Sequence, residues 1–124
     1  MSPHTDSKGV TVVLPWPSKD LSPNARVHFM AKARAVKKAR KAAAEYAWVA
    51  MGCRRPLWAK AALEVTFNPP TRARFDLDNA VARSKALFDG LSDALGIDDS
   101  MFEPTYSIGE VVKGGAVRVI VRAA

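Results

Sequence analysis

Asp76-Leu77-Asp78 sets two carboxylates two residues apart. If the chain is still extended there, both acids point to one face and Leu77 turns to the core. Two carboxylates held that way repel each other unless a cation stands between them. A hard divalent ion meets the need, because Mg²⁺ takes a few carboxylate oxygens, keeps water ligands and leaves room for phosphate. The structural alternative is that a helix begins here, with Asp78-Asn79 as its N-cap and Asp76 in the preceding loop. Asp98 and Asp99 form a second acidic pair just after Gly96, and they supply a third or fourth ligand if the chain doubles back along the intervening helix. Lys85 lies two helical turns beyond Asp78 on the same helix side, where its ammonium can stabilise charge developing on a phosphate.

Other chemistries find little support. His4 sits in a polar N-terminal stretch and His28 begins a helix, so neither has partners for a nucleophile relay. Cys53 is the only cysteine; it excludes an internal disulfide and a cysteine-ligated zinc module, and is expected to be a buried or inert thiol. No glycine-rich phosphate loop occurs, and Trp16, Trp48 and Trp58 are expected in the core or an interface. No apolar run approaches the ~18 residues of a membrane span, and the start has no signal-peptide core. A reducing cytoplasm is the expected compartment, with no membrane partner.

The charge is segregated. The 124 residues carry 19 Lys or Arg against 12 Asp or Glu, a net +7. Seven basic residues and no acid fall between Arg26 and Lys41, whereas seven acids against Arg83 and Lys85 fall between Asp76 and Glu103. The first stretch attracts polyanions and the second repels them. Arg34, Lys37, Lys38 and Lys41 form either an ordinary solvated helix surface or, with Arg72 and Arg74 in a later connector, the expected contacts to a polyanion such as DNA. Clustered acids on such a protein weaken binding unless a metal sits among them. Asp89 and Asp93, four residues apart, fit a solvated helix face.

The elements that must position these groups follow from periodicity. Residues 1–9 are expected to form a loose arm and 10–124 one domain. Val10–Trp16 is β-branched and closed by prolines, a first strand. Between Asn24 and Met51 there is no Gly or Pro, which predicts a long alanine-rich helix. Its expected apolar face is Phe29, Ala33, Val36, Ala39, Ala43, Tyr46 and Ala50, with Arg40 snorkelling outward. Ala61–Asn68 alternates as a half-buried strand. Val81, Ser84, Phe88, Leu91 and Leu95 mark a second helix ending at Gly96. Thr105–Val112 and Ala116–Val121 flank Lys113-Gly-Gly as a terminal hairpin. The expected fold is α/β of the α+β kind: a small mixed sheet of about four strands packed with two helices, in the order β-α-β-α-β-β.

The stretch Phe67-Asn-Pro-Pro-Thr-Arg-Ala-Arg-Phe-Asp-Leu-Asp-Asn, followed by Lys85-Ala-Leu-Phe-Asp-Gly-Leu-Ser-Asp-Ala-Leu-Gly-Ile-Asp-Asp, resembles the RusA family of Holliday-junction resolvases. The first strand, the Ser-Pro-Asn loop and the basic helix are also similar to that family's first half. The resemblance implies a mixed α/β homodimer dependent on Mg²⁺ or Mn²⁺, whose two active sites nick opposed strands of a four-way junction. It implies Asp76, Asp78 and Asp99 as metal-binding catalytic aspartates with Asp98 as their neighbour, and Lys85 as the catalytic lysine. Lys85 stands three positions farther from the Asp-x-Asp-Asn than in the best-known members, so Arg83 competes for the role. Phe75, beside Asp76, is either a wedge that unstacks bases at the branch point or a core residue. The residue reading and the resemblance agree on chemistry, in-line attack of a metal-activated water on a phosphodiester leaving a 5′-phosphate. The rival expectation is a DNA-binding module without catalysis that uses the basic helix alone.

Overall fold

Alternation of apolar and polar residues draws four segments into one sheet. The structure is a computed structural model that describes residues 9–124. Strands β1 (Val10–Pro15), β2 (Ala61–Asn68), β3 (Phe102–Ile108) and β4 (Ala116–Ala123) lie in the order β1-β4-β2-β3. β4 is antiparallel to both β1 and β2, and β2 is parallel to β3. The register aligns Val12, Val119 and Val65 across the sheet, and likewise Leu14, Val117 and Phe67, so one face becomes a continuous buried layer. The fold is α+β with a mixed four-stranded sheet, as expected. The loose arm expected at residues 1–9 lies outside the described residues except at Gly9, which is packed. Its φ is +79°, and a Cβ there would come 2.7 Å from the Val121 carbonyl oxygen.

Three helices cover the buried face: α1 (Phe29–Ala50), α2 (Leu77–Arg83) and α3 (Lys85–Leu95). α1 and α3 cross closely because small residues meet. A Cβ on Gly90 would overlap the Arg40 carbonyl oxygen and approach Ala43 Cβ to 2.7 Å. The buried line of α1 is Ala43 and Ala47, flanked by Ala39 and Ala50. Phe29, Val36 and Tyr46, expected on that face, are exposed. At the crossing itself, between Arg40 and Ala44, there is room for methyl groups and not for rings or branched side chains.

Two elements differ from expectation. The expected second helix is broken at Ser84, where the buried hydroxyl donates to the Ala80 carbonyl at 2.8 Å and the backbone N–H turns to Val81 O. Serine bonding back onto its own helix bends it, giving β-α-β-α-α-β-β and three helices in place of two. The terminal hairpin does not form either, since β3 and β4 are separated by β2. Residues 109–115 instead cross the end of β2, held by Gly109 N–H to Phe67 O at 2.8 Å, Val112 N–H to Pro69 O at 3.0 Å and Asn68 Nδ2 to Glu110 O at 2.9 Å. Composition explains the order. β4 is almost wholly apolar and takes a central place, whereas β3 carries Pro104, which cannot donate to a neighbouring strand and belongs at an edge.

Candidate functional site

Because β2 and β3 are parallel neighbours, the chain between them must cross the sheet face, and α2 and α3 make that crossing. Beyond α3 the chain reverses. Gly96 N–H bonds Ser92 O at 2.9 Å, Ser92 Oγ donates to Ile97 O at 2.6 Å, and Ile97 is buried. The reversal returns the 3₁₀ turn Asp99–Met101 alongside α3. Lys85 Nζ then stands 4.0 Å from Asp99 Oδ2 and 3.5 Å from Asp89 Oδ1. These groups line a groove of about 450 Å³ between α2, α3 and β3, whose apolar wall includes Leu63, Val81, Phe88, Phe102 and Tyr106. Burial in this wall raises the Tyr106 hydroxyl above its ordinary range.

A lysine as the first residue of a helix opposes the helix dipole. Here two carboxylates offset that cost, one from the next turn and one from the returning chain. Asp89 is therefore a neighbour of Lys85 within the groove and not simply a solvated residue. Asp93 is not free either. It takes a bidentate pair from Arg40, with Nε at 2.7 Å and Nη2 at 2.8 Å, which holds its carboxyl below the usual range. Arg40 thus leaves the apolar side of α1 by pairing across to α3.

The other expected ligands are placed separately. Asp76 is the N-cap of α2, with Oδ1 accepting from Asp78 N–H at 3.0 Å, so the cap is Asp76 and not Asp78-Asn79. Asp78 sits in the first helical turn, where an acid favours the dipole. It lies seven residues before Lys85, on the other side of the break at Ser84. Asp98 caps the 3₁₀ turn, accepting from the Ser100 N–H at 3.0 Å and from the Ser100 hydroxyl, and these bonds hold it below the ordinary carboxylate range. Among the described residues, no three His, Cys, Asp or Glu side chains form a group that could hold a metal ion. The structure brings Asp89 and Asp99 to Lys85, while Asp76 and Asp78 form the start of α2 and Asp98 caps the turn that Asp99 opens.

Arg83 and Lys85 part company. The Arg83 guanidinium donates through Nη2 to the Pro17 carbonyl, and partial burial lowers its pKa. Lys85 alone of the two lines the groove beside Asp99. The Ser22-Pro23-Asn24 loop is tied to α2 by Ser22 Oγ donating to Asn79 Oδ1 at 3.2 Å, which sets Pro23 against the groove. Phe75 packs edge-on against Trp16 at 5.7 Å between centroids and joins the core margin, so it is no free wedge. Cys53 is exposed, with φ 59°, so of the two expectations, buried or inert, it is not buried.

Arg34, Lys37, Lys38 and Lys41 are exposed on α1, and Arg72 and Arg74 are exposed in the connector after β2. Among the described residues none of the six makes an ion pair, the salt bridges being Arg40–Asp93, Lys85 with Asp89 and Asp99, and Arg122–Glu64. No helix of the described residues is long and apolar enough to cross a membrane. Sequence reasoning missed the apolar wall of the groove and Asp89. The available signal for Asp89 was its spacing of one helical turn from Lys85.

No protein-family model matches the chain. It is similar to a protein of Xylella fastidiosa strain Temecula1 described as uncharacterized, with 50% identity over 94 residues. The match covers 74% of this chain and 61% of that protein, so the chain spans about three fifths of the curated relative it matches.

Proposed function

We propose that the chain is a metal-dependent endonuclease of branched DNA, with four-way junctions as its foremost substrate, acting at the groove where Lys85 meets Asp99. The convergence of Lys85, Asp89 and Asp99 carries the reading: residues from two separate stretches place a cation between acids at an open groove. The resemblance of residues 76–99 to the RusA resolvases supports it, as does a basic face held apart from the acids. Mg²⁺ or Mn²⁺ bound by Asp76, Asp78 and Asp99, with Asp98 beside them, would supply an activated water and neutralise charge on the scissile phosphate. Those carboxylates are the right donors in kind, but they are not gathered around one point. Lys85 would stabilise negative charge on the phosphate. Arg34, Lys37, Lys38, Lys41, Arg72 and Arg74 would hold the backbone, which positions DNA without reading its sequence. Nicking opposed strands needs two sites, so a C2 homodimer belongs to the same proposal. Its place of action is the cytoplasm.

A DNA-binding module without catalysis is the second reading, favoured by the absence of a three-ligand group among the described residues. Incubation with junction, fork and duplex in Mg²⁺, Mn²⁺ or EDTA separates the two. The nuclease nicks junctions in preference to duplex, and EDTA stops it. Asp76→Asn and Asp78→Asn abolish nicking while binding stays equal or tightens. Asparagine caps a helix as well as aspartate, so Asp76→Asn keeps α2 intact. Cleavage retained in both variants refutes the site, and binding without cleavage in every ion selects the module.

A further inference from the structure

None of the residues of α1 before Ala43 is buried, and its first turns touch the rest of the protein through Lys32, whose Nζ donates to the Ser22 carbonyl at 3.4 Å. Near its start Phe29, Met30, Ala33, Arg34 and Lys37 line an open, shallow dimple of about 260 Å³ on the helix surface, separate from the groove that holds Lys85. Phe29 is 73% exposed and Met30 53%. Leaving a phenylalanine ring and a thioether in water costs free energy that the fold does not recover, which makes the pair a candidate contact surface. The ring is nonetheless held in place. His28 stacks on Phe29 at 4.6 Å with 28° between planes, while its Nδ1 accepts from Met30 N–H at 3.2 Å and caps the helix. Arg34 lies one turn from Met30, and Lys37 two turns from Phe29, so a fixed aromatic surface has cations within reach of its edge.

We propose that this dimple receives an unpaired nucleobase of DNA. The base stacks on Phe29 against Met30 and the Ala33 methyl, and Arg34 and Lys37 take the flanking phosphates. The inference rests on the DNA-binding part of the reading above and adds a stacking site to it. Charge selects the occupant. Residues 26–41 carry no acid, so two copies of this face packed on each other would set cation against cation, whereas a nucleotide satisfies ring and charges together. Stacking on an aromatic ring is indifferent to base identity, so the site favours unpaired structure and not sequence.

Fluorescence anisotropy on a gapped DNA and on a fully paired duplex of equal length tests the proposal, with 2-aminopurine at the unpaired position as a second signal. Phe29→Ala lowers affinity for the gapped DNA about tenfold, within the range measured for base–aromatic stacking, and changes duplex binding less than twofold. Phe29→Trp restores affinity and quenches 2-aminopurine. Lys37→Gln weakens both DNAs alike. Equal affinity of wild type and Phe29→Ala for the gapped DNA overturns the stacking site and leaves DNA binding standing. Failure of the wild type to bind either DNA overturns both. A change of oligomeric state in Phe29→Ala, read by sedimentation, also overturns it, because the face would then be a contact between copies. An unchanged melting temperature confirms that the exposed position is not structural, and if Phe29→Ala misfolds, the absence of 2-aminopurine quenching by Phe29→Trp refutes the site.

Discussion

If the proposed grip of α1 on DNA holds, removing its cations flattens the salt dependence of binding by an amount the helix geometry sets. Arg34, Lys37 and Lys41 follow one another at three- and four-residue spacing and form one exposed line, and none has an acid partner among the described residues. The line covers about 10 Å at ~1.5 Å per residue. One DNA strand presents a phosphate every ~3.4 Å of axis, so the line spans about three phosphates. Each neutralised phosphate contributes roughly −0.9 to the slope of log K against log salt, so the triple substitution to glutamine lowers the slope by about 2.7. Between 50 and 200 mM salt the wild type should therefore lose about 40-fold more affinity than the variant. Anisotropy titrations at four salt concentrations give both slopes. Lys38, on the flank of the same helix, remains in the variant as an internal control for residual binding. Parallel slopes for the two proteins would mean that α1 does not lie on the backbone, and the division into a gripping helix and a reacting groove would be wrong.

Gly90→Ala forces a methyl group into the Arg40 carbonyl and Ala43 Cβ, both parts of a packed helix. It should destabilise the fold by about 2 kcal/mol, as overpacking does, seen as a lower urea midpoint; an unchanged midpoint would show that α1 and α3 can separate at no cost. Asp93→Asn tests the Arg40 pair. The folded carboxyl lies below its usual value, so its stabilisation is present above the unfolded pKa of about 3.9 and is lost as pH falls through the lower folded value. Wild type should have the higher urea midpoint at pH 7, with the gap closing below about pH 4. A gap that does not narrow as pH falls below about 4 would assign the effect to packing and not to charge.

Local pattern made most of the framework legible. Alternation in Ala61–Asn68 and β-branching in Val10–Pro15 placed two strands, and the lack of Gly and Pro between Asn24 and Met51 placed α1. What pattern could not convey was partner choice. The Gly-Gly turn before β4 looks like a hairpin turn, yet long-range bonds from Asn68 and Pro69 carry residues 109–115 over β2. The break at Ser84 was hidden for a related reason, since a serine on a helical stripe fits the period and only its hydroxyl bond to Ala80 O bends the helix. Phe29 and Tyr46 fit the period of a buried face as well, yet the face that meets α3 is the one carrying Ala43 and Ala47, and both rings lie outside it.

The strand order is also what assembles the groove. Were β3 and β4 a hairpin, β3 would lie beyond β4 and its first residues would enter far from α3. With β3 instead parallel to β2, Phe102 pairs with Ala61, and the turn before it is carried back along α3 until Asp99 reaches Lys85. The Asp76 carboxylate, by contrast, is engaged in capping α2, and Asp78 stands in the first turn of that helix. Lys85 and Asp99 are thus held together by topology, whereas Asp76 and Asp78 are held where they are by a single helix start. A cation drawing the two sets together would act on the N-terminal turn of α2, whose cap bond is exposed, and not on the sheet that fixes β3.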